Sequence, residues 1–310
     1  MVKNSTQPKP CSPNFADARG LTLVEMLVAM TVTLSIAAGA LSLALAGRSS
    51  YVVDQNRTAI NQNLRNGIDL VGLDVRQAGE RLPADFPAIE LIDGVNGPDT
   101  LIIRRSVIDT ILPVCKDINA GTSADSVFVA KSSGSVPAGC APVPDDDADG
   151  WPENIEDWRD YRVGVGGMAW AFVYNPTTGD GEFFEYDAED NSTFHLHRSS
   201  SGQWQNDYPI DDMPRIYLLE QRRFQVDGEL LQLVMNGDVD NPINLVTTIL
   251  DFQVVIDLQD GSTLTAMGPG DAWTEIRSVE INLDGGRAFN GRTMDRSLTT
   301  RFFPRNVLSR

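Results

Sequence analysis

Carboxylates at alternating positions are the strongest chemical signal in this chain. From Asp145 the sequence reads Asp-Asp-Asp-Ala-Asp-Gly-Trp-Pro-Glu-Asn-Ile-Glu. Asp145, Asp147 and Asp149 take positions 1, 3 and 5 of a calcium-loop frame, Gly150 the turn at position 6 and Glu156 position 12, matching D-x-[DN]-x-[DN]-G-x5-E in full. A hard dication needs about six to eight oxygens. Alternate side chains, the Trp151 carbonyl and Glu153, directly or through water, would supply them. Clustered carboxylates repel one another unless a cation sits among them. Pro142 and Pro144 precede the frame, so no helix leads into it and a helix-loop-helix pair is excluded. A solvated acidic turn is the competing reading.

A second group with chemistry to explain is Glu25, one turn inside an apolar run. No charged residue occurs from Met26 to Ala46. At about 1.5 Å rise per residue that run spans roughly 30 Å, the hydrocarbon thickness of a bilayer. An ionised carboxylate there is costly and needs a partner. No Lys or Arg lies within a turn on its C-terminal side. Cleavage after Gly20 would create an α-amino group on Leu21, one turn away, and that amine or a neighbouring subunit's could pair with Glu25. An ordinary signal peptide cut near Ala38-Gly39-Ala40 is the alternative, but it would leave Glu25 without a role.

Other constellations are sparse. His195 and His197 sit at i, i+2, one face of a strand, and a solvent-facing edge explains them better than a metal site. Phosphate loops, nucleophile elbows and Cys-x-x-Cys motifs do not occur in the sequence, so an enzyme is not expected. The aromatic residues Trp151, Trp158, Trp170 and Tyr161 read as core. The chain of 310 residues carries a formal charge of −18, and loss of the N-terminal residues with Lys3, Lys9 and Arg19 would make it more acidic. Such a surface repels phosphate backbones and argues against direct nucleic-acid binding. The basic leader before an apolar span places the N-terminus in the cytoplasm and the bulk of the chain outside. Cys11 lies in that leader. Cys115 and Cys140 remain, an even pair in an oxidising compartment, and are expected to form a disulfide.

The elements that must position these groups follow in order. Residues 1–20 are a polar leader, 21–79 a long helix whose first part, 21–46, is apolar, and 80–310 a β-rich globular domain. Ile60, Leu64, Ile68, Val71 and Val75 recur at helical spacing and mark the face that the second half of the helix buries. Gly39 and Gly47 should soften the helix; Gly79 and Pro83 signal its end. Beyond it, strands are expected over 88–92, 100–105, 126–130, 169–174, 181–186, 192–197 and 215–226. The segments 230–235, 249–258 and 274–283 should form a meander, joined by turns at 236–241 and Asp260-Gly261, and the tail 301–306 should end the sheet.

The segment Gly20-Leu21-Thr22-Leu23-Val24-Glu25, with Met26-Leu27-Val28-Ala29-Met30 after it, resembles the prepilin signature of type IV pilins and type II secretion pseudopilins. The resemblance implies a pilin-like α+β fold, a long helix packed on antiparallel sheet, and cleavage after Gly20 by a prepilin peptidase. It also implies methylation of Leu21 and a role for Glu25 in subunit register. Leu21 stands where the family commonly has Phe. The later segments Leu250-Asp251-Phe252-Gln253-Val254-Val255-Ile256, Arg277-Ser278-Val279-Glu280-Ile281-Asn282-Leu283 and Thr299-Thr300-Arg301-Phe302-Phe303-Pro304-Arg305-Asn306 are similar to those of PilW-type minor pilins and J-type pseudopilins. Implied partners are the peptidase, other minor and major pilins and the inner-membrane assembly platform. The implied course runs from a single-pass inner-membrane protein to the pilus and cell surface. The implied function is initiation or capping of a pilus. A secretion pseudopilin, or an adhesin or DNA-uptake subunit presented by the filament, is the alternative.

Overall fold

The computed structural model describes residues 22–199, 202–289 and 292–308. The chain divides into two compact units, one through Gln55 and one from Asn56 onward. A single helix, α1 (Leu23–Gln77), contributes to both and runs unbroken through Gly39 and Gly47. In the first unit its apolar side chains, Leu23, Leu27, Leu34 and Leu41 among them, are exposed. Among the described residues it is the one helix long and apolar enough to cross a membrane. Three of its hydroxyls, those of Thr31, Thr33 and Ser35, bond to backbone carbonyls one turn back. Thr33 Oγ1 donates to the Ala29 carbonyl at 2.7 Å and Ser35 Oγ to the Thr31 carbonyl at 2.8 Å, the usual back-bonding of helical Ser and Thr.

In the second unit α1 buries the stripe read from its periodicity: Ile60, Leu64, Ile68, Val71 and Val75 are each at most 2 % exposed. Full burial of such a side chain contributes about 1.5–3 kcal/mol. The stripe lies against two antiparallel sheets. One holds β1 (Ile89–Ile92), β2 (Thr100–Ser106), β9 (Leu219–Asp227), β10 (Leu230–Met235) and β11 (Ile243–Thr247), in that order. The other is ordered β13 (Thr263–Leu264), β12 (Ile249–Leu258), β14 (Ile276–Phe289) and β15 (Arg292–Phe302). The buried carboxylate of Asp74 on α1 accepts from Arg222 Nη1 of β9 at 2.6 Å. Burial pushes that carboxyl above the ordinary range, against the pull of the Arg222 hydrogen bond and charge.

The helix ends by a device the chain supplies from its far end. Past Gln77 the backbone turns through Gly79, at φ +74°, whose N–H donates to the Arg104 carbonyl at 3.0 Å. Asn306, in the short C-terminal helix α3 (Arg305–Leu308), donates its side-chain amide to the carbonyls of Gln77 (3.4 Å) and Ala78 (3.1 Å). These are among the orphan acceptors that every helix C-terminus leaves.

The meander expected over 230–283 is corrected. β10 and β12 lie in different sheets, because the unexpected strand β11 pairs with β10 and the chain then turns at Thr248, at φ +66°. The β12–β14 half of the expectation holds, with Val254 opposite Ile281 and Phe252 opposite Leu283. The sheet is extended by β15, paired with β14 along its whole length.

Between β2 and β9 the chain departs into an insertion of its own. Ser106 pairs with Leu219, and the Val107 N–H donates to the Leu218 carbonyl at 2.9 Å, so residues 107–218 leave and return at one point. They form a six-stranded antiparallel sheet ordered β3 (Leu112–Pro113), β8 (Arg215–Tyr217), β5 (Ala169–Tyr174), β6 (Gly181–Asp190), β7 (His195–Arg198) and β4 (Ser126–Phe128). A helix, α2 (Glu153–Gly164), covers it. Alternation along β5 divides two cores. Ala171 and Val173 join Trp158, Phe184, Tyr186 and Trp204 on the insertion's side, while Phe172 and Tyr174 join the main core. There Phe86 meets Tyr217 and Tyr174 at centroid distances of 4.5 and 4.9 Å. The insertion is stapled by a disulfide between Cys115 and Cys140, Cα atoms 5.6 Å apart. In the chain-entropy treatment closing that loop contributes about 3.5 kcal/mol.

Candidate functional sites

At the head of α1 the structure gives Glu25 a partner that charge reasoning did not supply. Glu25 Oε2 accepts from the Thr22 backbone N–H and from Thr22 Oγ1, both at 3.0 Å, while the Glu25 N–H donates to Thr22 Oγ1 at 3.3 Å. Thr22-Leu23-Val24-Glu25 is thus a reciprocal capping box. Its Thr-x-x-Glu spacing was readable in the sequence. The Thr22 N–H is an internal amide whether or not the chain is cut after Gly20, so the box survives processing. Gly20 and Leu21 lie outside the described residues, and the amine pairing expected for Glu25 with them.

The acidic loop folds as two overlapping clusters. The carboxylates of Asp145, Asp147 and Asp149 offer oxygens within 4.8 Å of one another, and so do those of Asp147, Glu153 and Glu156, with Asp147 common to both. The turn is formed by Ala148 at φ +62° and Gly150 at φ +98°. Backbone amides already engage part of the set: Gly150 N–H donates to Asp145 Oδ2 at 2.8 Å, Asp149 N–H to Asp147 Oδ1 at 3.0 Å and Trp151 N–H to Asp149 Oδ1 at 2.8 Å. The Gly150 carbonyl accepts from Asn191 Nδ2 at 2.6 Å, tying the loop to the β6–β7 turn. Glu153 and Glu156 stand in the first turn of α2, so the last part of the twelve-residue frame is helix and not loop. Desolvation, then the charges of Asp149, Asp147, Asp160 and Glu153, pushes the Glu156 carboxyl above its ordinary range. A dication between these oxygens would relieve that repulsion. Trp151 lies beneath Arg159, whose guanidinium carbon is 4.8 Å from the ring centroid.

The histidines take part in neither cluster. His195 Nδ1 meets Thr193 Oγ1 at 2.6 Å, and the His195 ring lies 5.5 Å from that of Phe128; His197 pairs with Asp187. Of the aromatics read as core, Trp158 is fully buried and Trp151 and Tyr161 are partly buried, but Trp170 is 42 % exposed. The turn expected over 236–241 is the connection between β10 and β11, with Asn236 and Gly237 at positive φ.

Residues 16–41 match the prokaryotic N-terminal methylation motif. No curated protein and no solved structure matches the chain. The motif is that of type IV prepilins, and it supports a type IV pilin or pseudopilin. It implies processing by a prepilin peptidase and assembly with other pilins. It favours a structural subunit over an enzyme. The α+β architecture, a long apolar N-terminal helix followed by antiparallel sheet, is pilin-like.

Proposed function

We propose that the chain is a minor pilin of the PilW kind, cut after Gly20, methylated on Leu21 and active in initiating or capping a type IV pilus. The observation that carries this reading is the methylation motif at the head of α1. The sheet-rich second unit, with Asn306 capping α1 from the chain's C-terminal end, supports it. A pseudopilin of the J type would share these features; cross-linking in the native host and identification of the joined subunits separates pilus from secretion. The decisive experiment is mass spectrometry of the protein's N-terminus from cells with and without prepilin peptidase. The expected peptide starts at methylated Leu21 and disappears without the enzyme. A chain that still begins at Met1, or one cut near Ala40, would sink the proposal.

The acidic loop supports a second reading, a structural calcium site held by Asp145, Asp147, Asp149, Glu153 and Glu156 with the Trp151 carbonyl. Bound there, the ion would neutralise the clustered charge and fix the start of α2 against the insertion. Stabilisation grows with ligand concentration over its dissociation constant, about 2.7 kcal/mol at a hundredfold excess. Replacing Asp145 and Asp149 together by Asn should therefore lower the unfolding temperature in millimolar calcium and leave it unchanged in chelator. An equal drop in both conditions would mark a loop whose carboxylates only brace its own backbone.

A further inference from the structure

The insertion carries a cationic groove on an otherwise acidic chain. Lys3, Lys9, Lys116 and Lys131 are the lysines of the sequence, and the two beyond the leader line the same groove of about 570 Å³. Both are exposed. Among the described residues neither lies within 4.0 Å of a carboxylate, whereas arginines such as Arg105, Arg162 and Arg222 are engaged in ion pairs with Glu220, Glu189 and Asp74. Positive charge without a carboxylate partner beside so many acids marks a place for an anion.

The walls define the rest of the ligand. Phe128 and Phe194 are half-buried and present ring surface to the groove, with Lys116 Nζ 4.8 Å from the Phe128 centroid. Ser132 and Ser133 line it with hydroxyls that no described protein group engages. Phe194 is held at φ +55°, a conformation a bulky residue adopts only when its surroundings impose it; its carbonyl accepts from the Val129 N–H at 2.9 Å. The nearby acid is already engaged: Asp190 accepts from Ser192 Oγ and from the N–H and Oγ1 of Thr193 at 2.7–2.8 Å. The disulfide sets the spacing of the lysines. Lys116 follows Cys115 directly, and the Lys131 N–H donates to the Cys140 carbonyl at 2.8 Å. Both segments are therefore anchored on one covalent bridge.

We infer that this groove binds a carboxylated saccharide. Ammonium groups take the carboxylate, aromatic faces take the C–H face of the sugar ring, and free hydroxyls take its hydroxyls; the volume falls in the range of small-molecule sites. The test uses the full chain in detergent with trigalacturonate as probe, maltotriose as its neutral counterpart and oligothymidylate as a competing polyanion. Trigalacturonate should bind and maltotriose should not. Lys116→Gln with Lys131→Gln should weaken trigalacturonate at least tenfold without moving the unfolding temperature, since both side chains are exposed. Absence of trigalacturonate binding, equal binding of maltotriose, or insensitivity to the lysine pair overturns the inference. Tighter binding of oligothymidylate through the same lysines also overturns it, in favour of a nucleic-acid site.

Discussion

Glu25→Ala is expected to leave membrane insertion and cleavage intact while lowering incorporation into filaments or priming complexes roughly tenfold or more, the factor that about 1.4 kcal/mol produces. Two different losses are folded into that variant. Alanine removes the acceptor for the Thr22 N–H and hydroxyl, opening one half of the capping box while the Glu25 N–H still reaches Thr22 Oγ1. It also removes the negative charge that an α-amino group of the same or a neighbouring subunit would meet in a medium of low polarity. Glu25→Gln separates them, because glutamine still accepts from Thr22 but carries no charge. If subunit register depends on the charge, Gln assembles as poorly as Ala, measured by quantifying the protein in sheared filaments. If the cap is the whole effect, Gln restores assembly, and the pairing idea fails.

Gly72 is the second position where one substitution should act strongly. In a helix interior glycine normally costs about 1 kcal/mol relative to alanine, so Gly→Ala would ordinarily stabilise. Here a Cβ would stand 2.2 Å from Cε1 and Cζ of Phe302, a ring buried between the helix and β15 and covered by the Arg76 guanidinium at 5.1 Å. Gly72→Ala should therefore destabilise the second unit, by about 2–3 kcal/mol as overpacked cores do, and Gly72→Val by more. Denaturant unfolding followed by tryptophan fluorescence reads this directly. Shortening the obstacle with Phe302→Leu should recover part of the loss in the double variant. Gly47→Ala, where nothing lies within 4 Å, provides the contrast. If Gly72→Ala unfolds no more easily than wild type, the close approach of helix and strand is wrong.

What could be read before the structure was whatever local pattern alone dictates. The buried stripe of α1 and the strands at 169–174, 230–235 and 249–258 came from periodicity and turn residues. What escaped was set by distant partners. β15 alternates threonine, serine and arginine with few apolar residues, and its strand character comes from pairing with β14. Of the twelve residues of α2 only Ile155 and Trp158 are buried, too thin a stripe to register as a helix. At the candidate sites, the carboxylate spacing was plain in sequence because Asp145 to Glu156 lie within twelve consecutive residues. The groove was not, because Lys116, Lys131 and Phe194 are brought together by a disulfide and a hairpin.

The meeting of Ser106 and Leu219 also sets a constraint on how the chain acquires its shape. Pairing β2 with β9 while residues 107–218 are still random means closing a very long loop. Relative to a tight hairpin of four residues, the closure entropy for such a length is about 3 kcal/mol less favourable. An insertion already collapsed on its own core presents its two ends side by side and removes that cost. A completed insertion therefore makes the central pair of the main sheet easier to close. Connectivity thus couples the two, and a misoxidised insertion would leave the full closure cost on the sheet against which α1 packs.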